Sequence, residues 1–285
     1  MIYEKIDLYK YFNIERKGAT DGYLTAYCRE GTTELGLKKR PAMLIMPGGG
    51  YWFVSDREGE PVALKYLQAG YSAFVLKYTV RTKFPVPLIE ACMAAVYIRE
   101  NAAKYFVDEE HIAAIGFSAG AHLAGMLGNL YCEPEIKSVL KQKSELAKVS
   151  ALVLSYPVVS MTEFAHEGSR DILTGKDESL YERLSLEKRI TKDSPPAFIW
   201  HTVADDCVPA ENSFMLARAY KAAKVPFTLH LFEDGWHGLC LCDNETNDLS
   251  EELPHIYHAG KWFELSLDWL SEHGFNVRKI GDKLC

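Results

Sequence analysis

The chain has 285 residues, 48% of them apolar and 12% aromatic. That supply fills a large core and excludes a disordered protein. The formal net charge is -7 with no basic cluster, which argues against nucleic acid as a partner.

Cysteines stand at 28, 92, 132, 207, 240, 242 and 285, an odd number spread widely. Parity excludes a complete disulfide framework, so free thiols in a reducing compartment are expected. Met1 to Lys10 is charged and lacks the apolar core of a signal peptide. No run of about 18 apolar residues suits a membrane span. The expectation is a cytoplasmic protein that does not engage membranes.

Residues 2–40 are polar and mixed, with strand character at Tyr23–Cys28. Ala42–Met46 is an apolar run stopped by Pro47-Gly48-Gly49-Gly50 and predicts a central strand. Pro61–Ala69 predicts a helix that opens on proline and closes at Gly70. Ser72–Leu76 is the next buried strand. Leu88–Lys104 has Ile89, Met93, Val96 and Tyr97 at helical spacing.

His111–Ile115 predicts a buried strand, and Ala121–Leu127 a helix. Between them runs Gly116-Phe117-Ser118-Ala119-Gly120. Strand, G-x-S-x-G, helix is the context in which that motif forms a nucleophile elbow. The tight turn needs flanking positions without bulk, which Gly116 and Gly120 supply. Ser118 then sits exposed on a strained turn, before helix amides that favour negative charge.

Ala151–Tyr156 predicts a strand ended by Pro157. Residues 158–194 are charged and irregular, with a short helix expected around Leu180–Ile190. This segment lies between two buried strands and is expected to cap one end of the sheet. Ala197–His201 is a strand, Ala210–Ala223 a helix and Phe227–Phe232 the last strand. Residues 239–258 read as a long acidic loop. Lys261–Leu270 closes the chain as a helix, with Trp262, Leu265 and Trp269 at core spacing.

Strands alternating with helices predict an α/β fold, a mostly parallel sheet with helices on both faces. The strands are continuous apolar runs, as expected of strands buried on both sides. Ligands of such sheets bind beyond the carboxyl ends of the strands, where every candidate below falls. One domain over 1–285, with the insertion at about 158–194, is the expected organisation.

A serine hydroxyl needs a base to take its proton, and the base needs an orienting group. In elbow proteins the order is serine, acid, histidine. The order is met by Ser118, Asp205 in Trp200-His201-Thr202-Val203-Ala204-Asp205-Asp206-Cys207-Val208-Pro209, and His237 in Glu233-Asp234-Gly235-Trp236-His237-Gly238. His237 lies in a glycine-flanked loop just past a strand. Asp205 is preferred to Asp206 because Asp-x-x-Val-Pro puts Val208 in the sheet wall and starts a helix at Pro209. Asp206 then points elsewhere, toward a cap of that helix. Asp234 is a remote third option and a better turn residue.

A developing oxyanion needs amide donors. Ala119, next after the nucleophile, is one, and the loop Pro47-Gly48-Gly49-Gly50-Tyr51 is placed to give the other. No G-x-G-x-x-G or G-K-[ST] follows, so nucleotide binding is not expected.

These motifs resemble the α/β-hydrolase esterases, in particular the branch that joins hormone-sensitive-lipase relatives with acetyl xylan esterase-like carbohydrate esterases. The resemblance covers roughly residues 40–270. It rests on Pro47–Tyr51, Gly116–Ala124, Trp200-His201-Thr202 with Asp205 and Val208-Pro209, and His237-Gly238-Leu239. It implies an α/β-hydrolase fold and hydrolysis of short acyl esters, often acetyl groups on sugars, without a cofactor. By the family pattern Gly49 and Gly50 are the loop donors. Pro47 replaces the histidine that opens the lipase group's His-Gly-Gly-Gly and braces its loop. That change favours the carbohydrate esterase branch.

Other residues have simpler readings. His122, one helical turn past Ser118, is directed into the layer beneath. Cys240-Leu241-Cys242 with His255 and His258 has poor spacing for zinc, so no metal is expected. Tyr51, Trp52, Tyr156 and Trp236 flank the expected cleft and are candidates to stack on a sugar or enclose an acyl chain. The expected ligand is therefore a small-molecule or oligosaccharide ester. Formamidase, thioesterase and peptidase chemistry on the same triad stay open, because fold does not fix substrate. A non-catalytic binding protein is the other rival. The oligomeric state is open, a homo-oligomer included.

Overall fold

The structure is a computed structural model and describes residues 1–16, 21–36, 38–247 and 254–279. Among the described residues the sheet has nine strands: β1 Ile2–Asp7, β2 Tyr23–Cys28, β3 Lys38–Met46, β4 Ser72–Lys77, β5 Val107–Phe117, β6 Ala151–Ser155, β7 Ala197–Thr202, β8 Phe227–Phe232 and β9 Arg278–Lys279. The sheet order is β1-β2-β4-β3-β5-β6-β7-β8, with β9 paired to β3. β1 and β2 run antiparallel to their neighbours, β9 is antiparallel to β3, and the strands from β4 to β8 are parallel. This is the expected mostly parallel α/β sheet.

Strand periodicity splits the core into two layers. Leu44, Ala114, Leu152 and Ile199 pack on one side of the sheet, among Met93, Val96, Leu123 and Leu127 of the helices Val86–Glu100 and Ala119–Leu130. Ile45, Ile115, Val153 and Trp200 pack on the other, with Val62 and Tyr66 of helix Glu60–Gln68 and Trp262 and Leu270 of helix Trp262–Glu272. Both faces are covered, which is why the central strands carry no polar alternation.

Several expectations need correction. Ile2–Asp7 is a strand, although its exposed face carries Tyr3 and its sequence is charged. An edge strand has only one face to bury, so its apolar content is low. The helix expected over Leu88–Lys104 is two, Val86–Glu100 and Ala102–Tyr105. Within residues 158–194 the longest helix is Glu167–Thr174, which was not expected. The short helix expected around Leu180–Ile190 is present as Tyr181–Leu184, flanked by 3₁₀ turns at Glu178–Leu180 and Leu186–Lys188. The loop expected at 239–258 contains a helix, Pro254–Ala259, while residues 248–253 lie outside the described part. Leu265 is exposed, and Ser266 takes the buried position on the closing helix. The buried face runs 262, 266, 269 and 270, so Trp262 and Trp269 fall where expected and Leu265 does not.

The elbow depends on two glycines. A Cβ on Gly116 would stand 2.1 Å from the Gly120 carbonyl oxygen, and one on Gly120 would stand 2.1 Å from that of Met46. Strand β5, the helix after it and the end of β3 therefore meet backbone to backbone. Ser118 between them has φ 53° and ψ -120°, a strained conformation for a residue with a side chain.

Candidate active site

Ser118, Asp205 and His237 come from three separate connections at the carboxyl ends of β5, β7 and β8. The turn after β5 lifts Ser118 to the start of helix Ala119–Leu130. His237 Nε2 lies 2.7 Å from Ser118 Oγ, and His237 Nδ1 lies 2.7 Å from Asp205 Oδ2. An ionised carboxylate only accepts, so Nδ1 carries the proton and Nε2 is left to accept from the serine hydroxyl.

Asp205 is held from every side. Its Oδ1 accepts from the amides of Cys207 at 3.0 Å and Val208 at 2.9 Å, which explains the Asp-x-x-Val-Pro spacing. Its Oδ2 accepts from His237 and also from His201 Nε2 at 3.2 Å. Burial pushes its pKa up, but the hydrogen bonds from His201, His237 and Val208, with the charge on His237, hold it well below the usual carboxylate range. Asp206 is exposed and does not cap the following helix. That helix, Glu211–Ala223, starts after Ala210 with no side-chain cap.

The histidine loop is fastened at several points. Thr202 Oγ1 donates to the Gly235 carbonyl at 2.9 Å and Asn247 Nδ2 to that of Leu239 at 2.6 Å. Trp262 Nε1 donates to the Cys240 carbonyl at 2.8 Å, and its ring stacks on Trp200 at 5.2 Å. The Tyr156 ring stands edge-on to His237 with centroids 5.1 Å apart.

The glycine loop after β3 is also braced. Tyr78 OH donates to the Pro47 carbonyl at 2.7 Å, and the Gly48 amide donates to Glu58 Oε2 at 2.7 Å. Gly49 and Gly50 have φ of 119° and 64°. They line, with Ser118 and His237, a cavity of about 470 Å³. Trp52, Phe53, Arg57, Glu58, His166 and Cys207 complete much of its wall. Among the described residues no acceptor on the protein takes the amides of Gly49, Gly50 or Ala119.

Of the candidate binding aromatics only Trp52 lines the cavity. It is 55% exposed, and the Arg81 guanidinium lies 4.2 Å from its ring centroid. Tyr51 is instead fully buried, its hydroxyl 2.9 Å from His122 Nδ1. Tyr156 is buried beneath the site, and its hydroxyl donates to Glu58 Oε1 at 2.6 Å. Trp236 is partly exposed but lies outside the cavity wall. The phenols of Tyr51 and Tyr156 found buried partners, which an apolar-rim reading cannot foresee.

His122 is buried, its Nε2 2.8 Å from the Leu184 carbonyl, and burial pushes its pKa down to about 4. Cys240 Sγ lies 3.2 Å from the Arg57 carbonyl, and Cys242 Sγ lies near the Cys240 carbonyl. Among the described residues no group of three or more His, Cys, Asp or Glu is arranged to hold a metal. The His255 side chain and Cys285 lie outside the described part.

Sequence reasoning missed His201, Glu58 and His166. His201 was legible only as part of a strand motif, and Glu58 only as one charge among several at residues 56–60. His166 Nδ1 accepts from the Ser169 amide at 3.2 Å and so caps helix Glu167–Thr174. Its Nε2 therefore carries the proton, and the residue lines the cavity.

No helix among the described residues is long and apolar enough to cross a membrane. The BD-FAE family model matches residues 34–220. Endo-1,4-beta-xylanase B of Butyrivibrio fibrisolvens is 38% identical over 219 residues, 73% of this chain and 34% of that protein. The acetylxylan esterase of Xylanibacter ruminicola is 26% identical over 209 residues, 69% of this chain and 40% of that one. The chain thus spans between a third and a half of the length of these curated relatives. Among solved structures, an acetyl ester-xyloside bifunctional hydrolase from Caldicellulosiruptor lactoaceticus superposes with TM-score 0.78 at 36% identity, over 89% of this chain and 88% of that one. The carboxylesterase Cest-2923 from Lactobacillus plantarum gives 0.81 at 28% identity, over 96% and 98%. The chain has the α/β-hydrolase fold and belongs to the BD-FAE family, among esterase homologues.

Proposed function

We propose that this chain is a carboxylic ester hydrolase that removes short acyl groups, acetyl foremost, from sugars or oligosaccharides. One observation carries the reading: the His237 imidazole stands 2.7 Å from both Ser118 Oγ and Asp205 Oδ2. Similarity to an acetylxylan esterase and to an acetyl ester-xyloside hydrolase supports the choice of ester.

In this mechanism His237 Nε2 takes the proton of Ser118 as Oγ attacks the ester carbonyl. Asp205 keeps the ring oriented and stabilises the imidazolium. The amides of Ala119, Gly49 and Gly50 receive the oxyanion, at roughly 3 kcal/mol of barrier for each donor. The alkoxide leaves with the proton from His237, and an acyl group stays on Ser118. Water then attacks the acyl carbon as His237 takes its proton, and His237 returns that proton to Ser118 Oγ as the carboxylic acid leaves. No step calls for a cofactor.

In this reading the short acyl chain sits beside Gly50, and Trp52, which also lines the cavity, offers a ring face to a sugar. Residues 158–194 act as a small cap within one domain, since His166, Gly168 and Ile172 reach the cavity wall. A reducing, cytoplasmic setting is part of the reading, supported by the buried thiols of Cys28, Cys92, Cys240 and Cys242.

The test is a panel of acetylated sugars, 4-nitrophenyl acetate, formyl-kynurenine and acyl-CoA, assayed with the wild type and Ser118→Ala. The proposal expects the acetyl esters to be cleaved fastest and the variant to lose on the order of 10⁴-fold. Preference for formyl-kynurenine or acyl-CoA would replace the ester assignment. No turnover of any of them would leave a binding protein.

A further inference from the structure

Glu58 is a carboxylate that the acyl-transfer steps do not use. It ends the short turn Asp56–Glu58, is 3% exposed, and reaches the cavity wall. Its Oε2 accepts from the Gly48 amide at 2.7 Å, and its Oε1 accepts from Tyr156 OH at 2.6 Å. The same Tyr156 oxygen accepts from the Cys240 amide at 3.0 Å. Both backbone amides can only donate, which fixes two of the three bonds, and with Glu58 ionised the Tyr156 hydroxyl is the donor in the third.

This chain of bonds joins two loops that are remote in sequence. Gly48 opens the glycine loop whose next two amides are the oxyanion donors of the proposed function. Cys240 anchors the loop that carries His237, and the Tyr156 ring between them stands edge-on to that imidazole. Residue 48 must be small for the link to form, because a Cβ there would lie 2.8 Å from Glu58 Oε2 and 3.1 Å from Ser118 Cβ. Burying a carboxylate is costly unless its hydrogen bonds are made, and both oxygens of Glu58 are spent on this bridge.

We propose that Glu58 is a positioning residue that, through Gly48 and Tyr156, locks the oxyanion loop and the histidine loop into one rigid frame. The kinetic consequence rests on the hydrolase reading above, whereas the rigid frame does not. Donors held in place gain most in the transition state, so loosening the frame lowers kcat and leaves substrate affinity nearly intact.

Three variants test this. Glu58→Asp is one methylene too short to reach both donors. Glu58→Gln keeps the length, with its oxygen on the Gly48 amide and its NH2 on the Tyr156 oxygen. Tyr156→Phe keeps the ring against His237 but cuts the link to Cys240. Each is measured for 4-nitrophenyl acetate hydrolysis and for amide exchange at Gly48 and Cys240. Glu58→Asp is expected to lower kcat about tenfold with KM within about twofold, and to raise exchange at both amides about tenfold. Glu58→Gln recovers most of that turnover. Tyr156→Phe raises exchange at Cys240 alone and costs kcat less than Glu58→Asp does. Wild-type kcat in Glu58→Asp, a loss taken up by KM, or unchanged exchange at the two amides would overturn the proposal. If Glu58→Asp does not fold, unchanged exchange at Cys240 in Tyr156→Phe overturns it, and raised exchange there supports it. A wild type that cleaves no ester removes the hydrolase reading, while the exchange data still decide the frame.

Discussion

His201 Nε2 lies 3.2 Å from Asp205 Oδ2, and neither side chain has any exposed surface. The same nitrogen is 2.9 Å from the Val208 carbonyl, so it must carry the proton and donate. His201 Nδ1 then accepts from Ser213 Oγ at 2.8 Å. A strand histidine thus fixes the carboxylate that orients His237.

Removing that donor should weaken turnover without touching the substrate. For His201→Leu we expect kcat to fall about tenfold, as one buried hydrogen bond to a charged group is worth roughly 1.5–3 kcal/mol and part of it is recovered by relaxation. KM should hold within about twofold. Ser213→Ala leaves the Nε2 bond in place and should cost less than a third of that effect on a logarithmic scale. Steady-state kinetics of the two variants checks both.

The pH dependence of stability follows from Asp205. Its folded-state pKa is depressed, so its stabilising contribution is fully present above the unfolded value, about 3.9. That contribution is lost as pH falls from there through the folded-state value. Thermal melts of the wild type and Asp205→Asn, taken between pH 3 and 7, should therefore differ most at pH 5–7, with the gap narrowing toward pH 3. A gap that is constant across this range would contradict the assignment.

Trp52 lines the cavity with the Arg81 guanidinium on its ring, and Arg81 Nε donates to the Trp52 carbonyl at 3.1 Å. The ring is held in place before any ligand arrives. Trp52→Ala should raise KM for acetylated sugars about tenfold, the worth of one aromatic stacking contact. For 4-nitrophenyl acetate, whose leaving group is not a sugar, KM should change far less. Equal changes for both substrates would show that Trp52 does not face the sugar.

Much of the architecture was legible because the central strands are buried on both faces. Ala42–Met46 has no polar residue, Ala151–Tyr156 carries only Ser155 and Ala197–His201 only His201, so little competes with the strand reading. The edge strand Ile2–Asp7 was not, since Glu4, Lys5 and Asp7 fall within its six residues and its place is set by pairing with Tyr23–Cys28. The residues brought together at the site were marked by chain order and by glycines that permit close backbone approach. What escaped was the layer behind them. Glu58, His201 and Tyr156 act through hydrogen bonds to residues 10 to 98 positions away or to a neighbouring turn, and no local spacing records such a partner. Tyr51 shows the reverse case: its place beside the glycine loop suggests the cleft, yet its hydroxyl is satisfied by His122 in the core.

In the proposed mechanism Ser118 is the nucleophile and His237 activates it. Intact-mass analysis after exposure to a fluorophosphonate probe tests it most directly. One phosphonyl group per chain is expected, located on Ser118 by peptide mapping, with labelling abolished in Ser118→Ala and slowed on the order of 10³-fold or more in His237→Ala. Labelling at another residue, or at Ser118 with the same rate when His237 is gone, would contradict it.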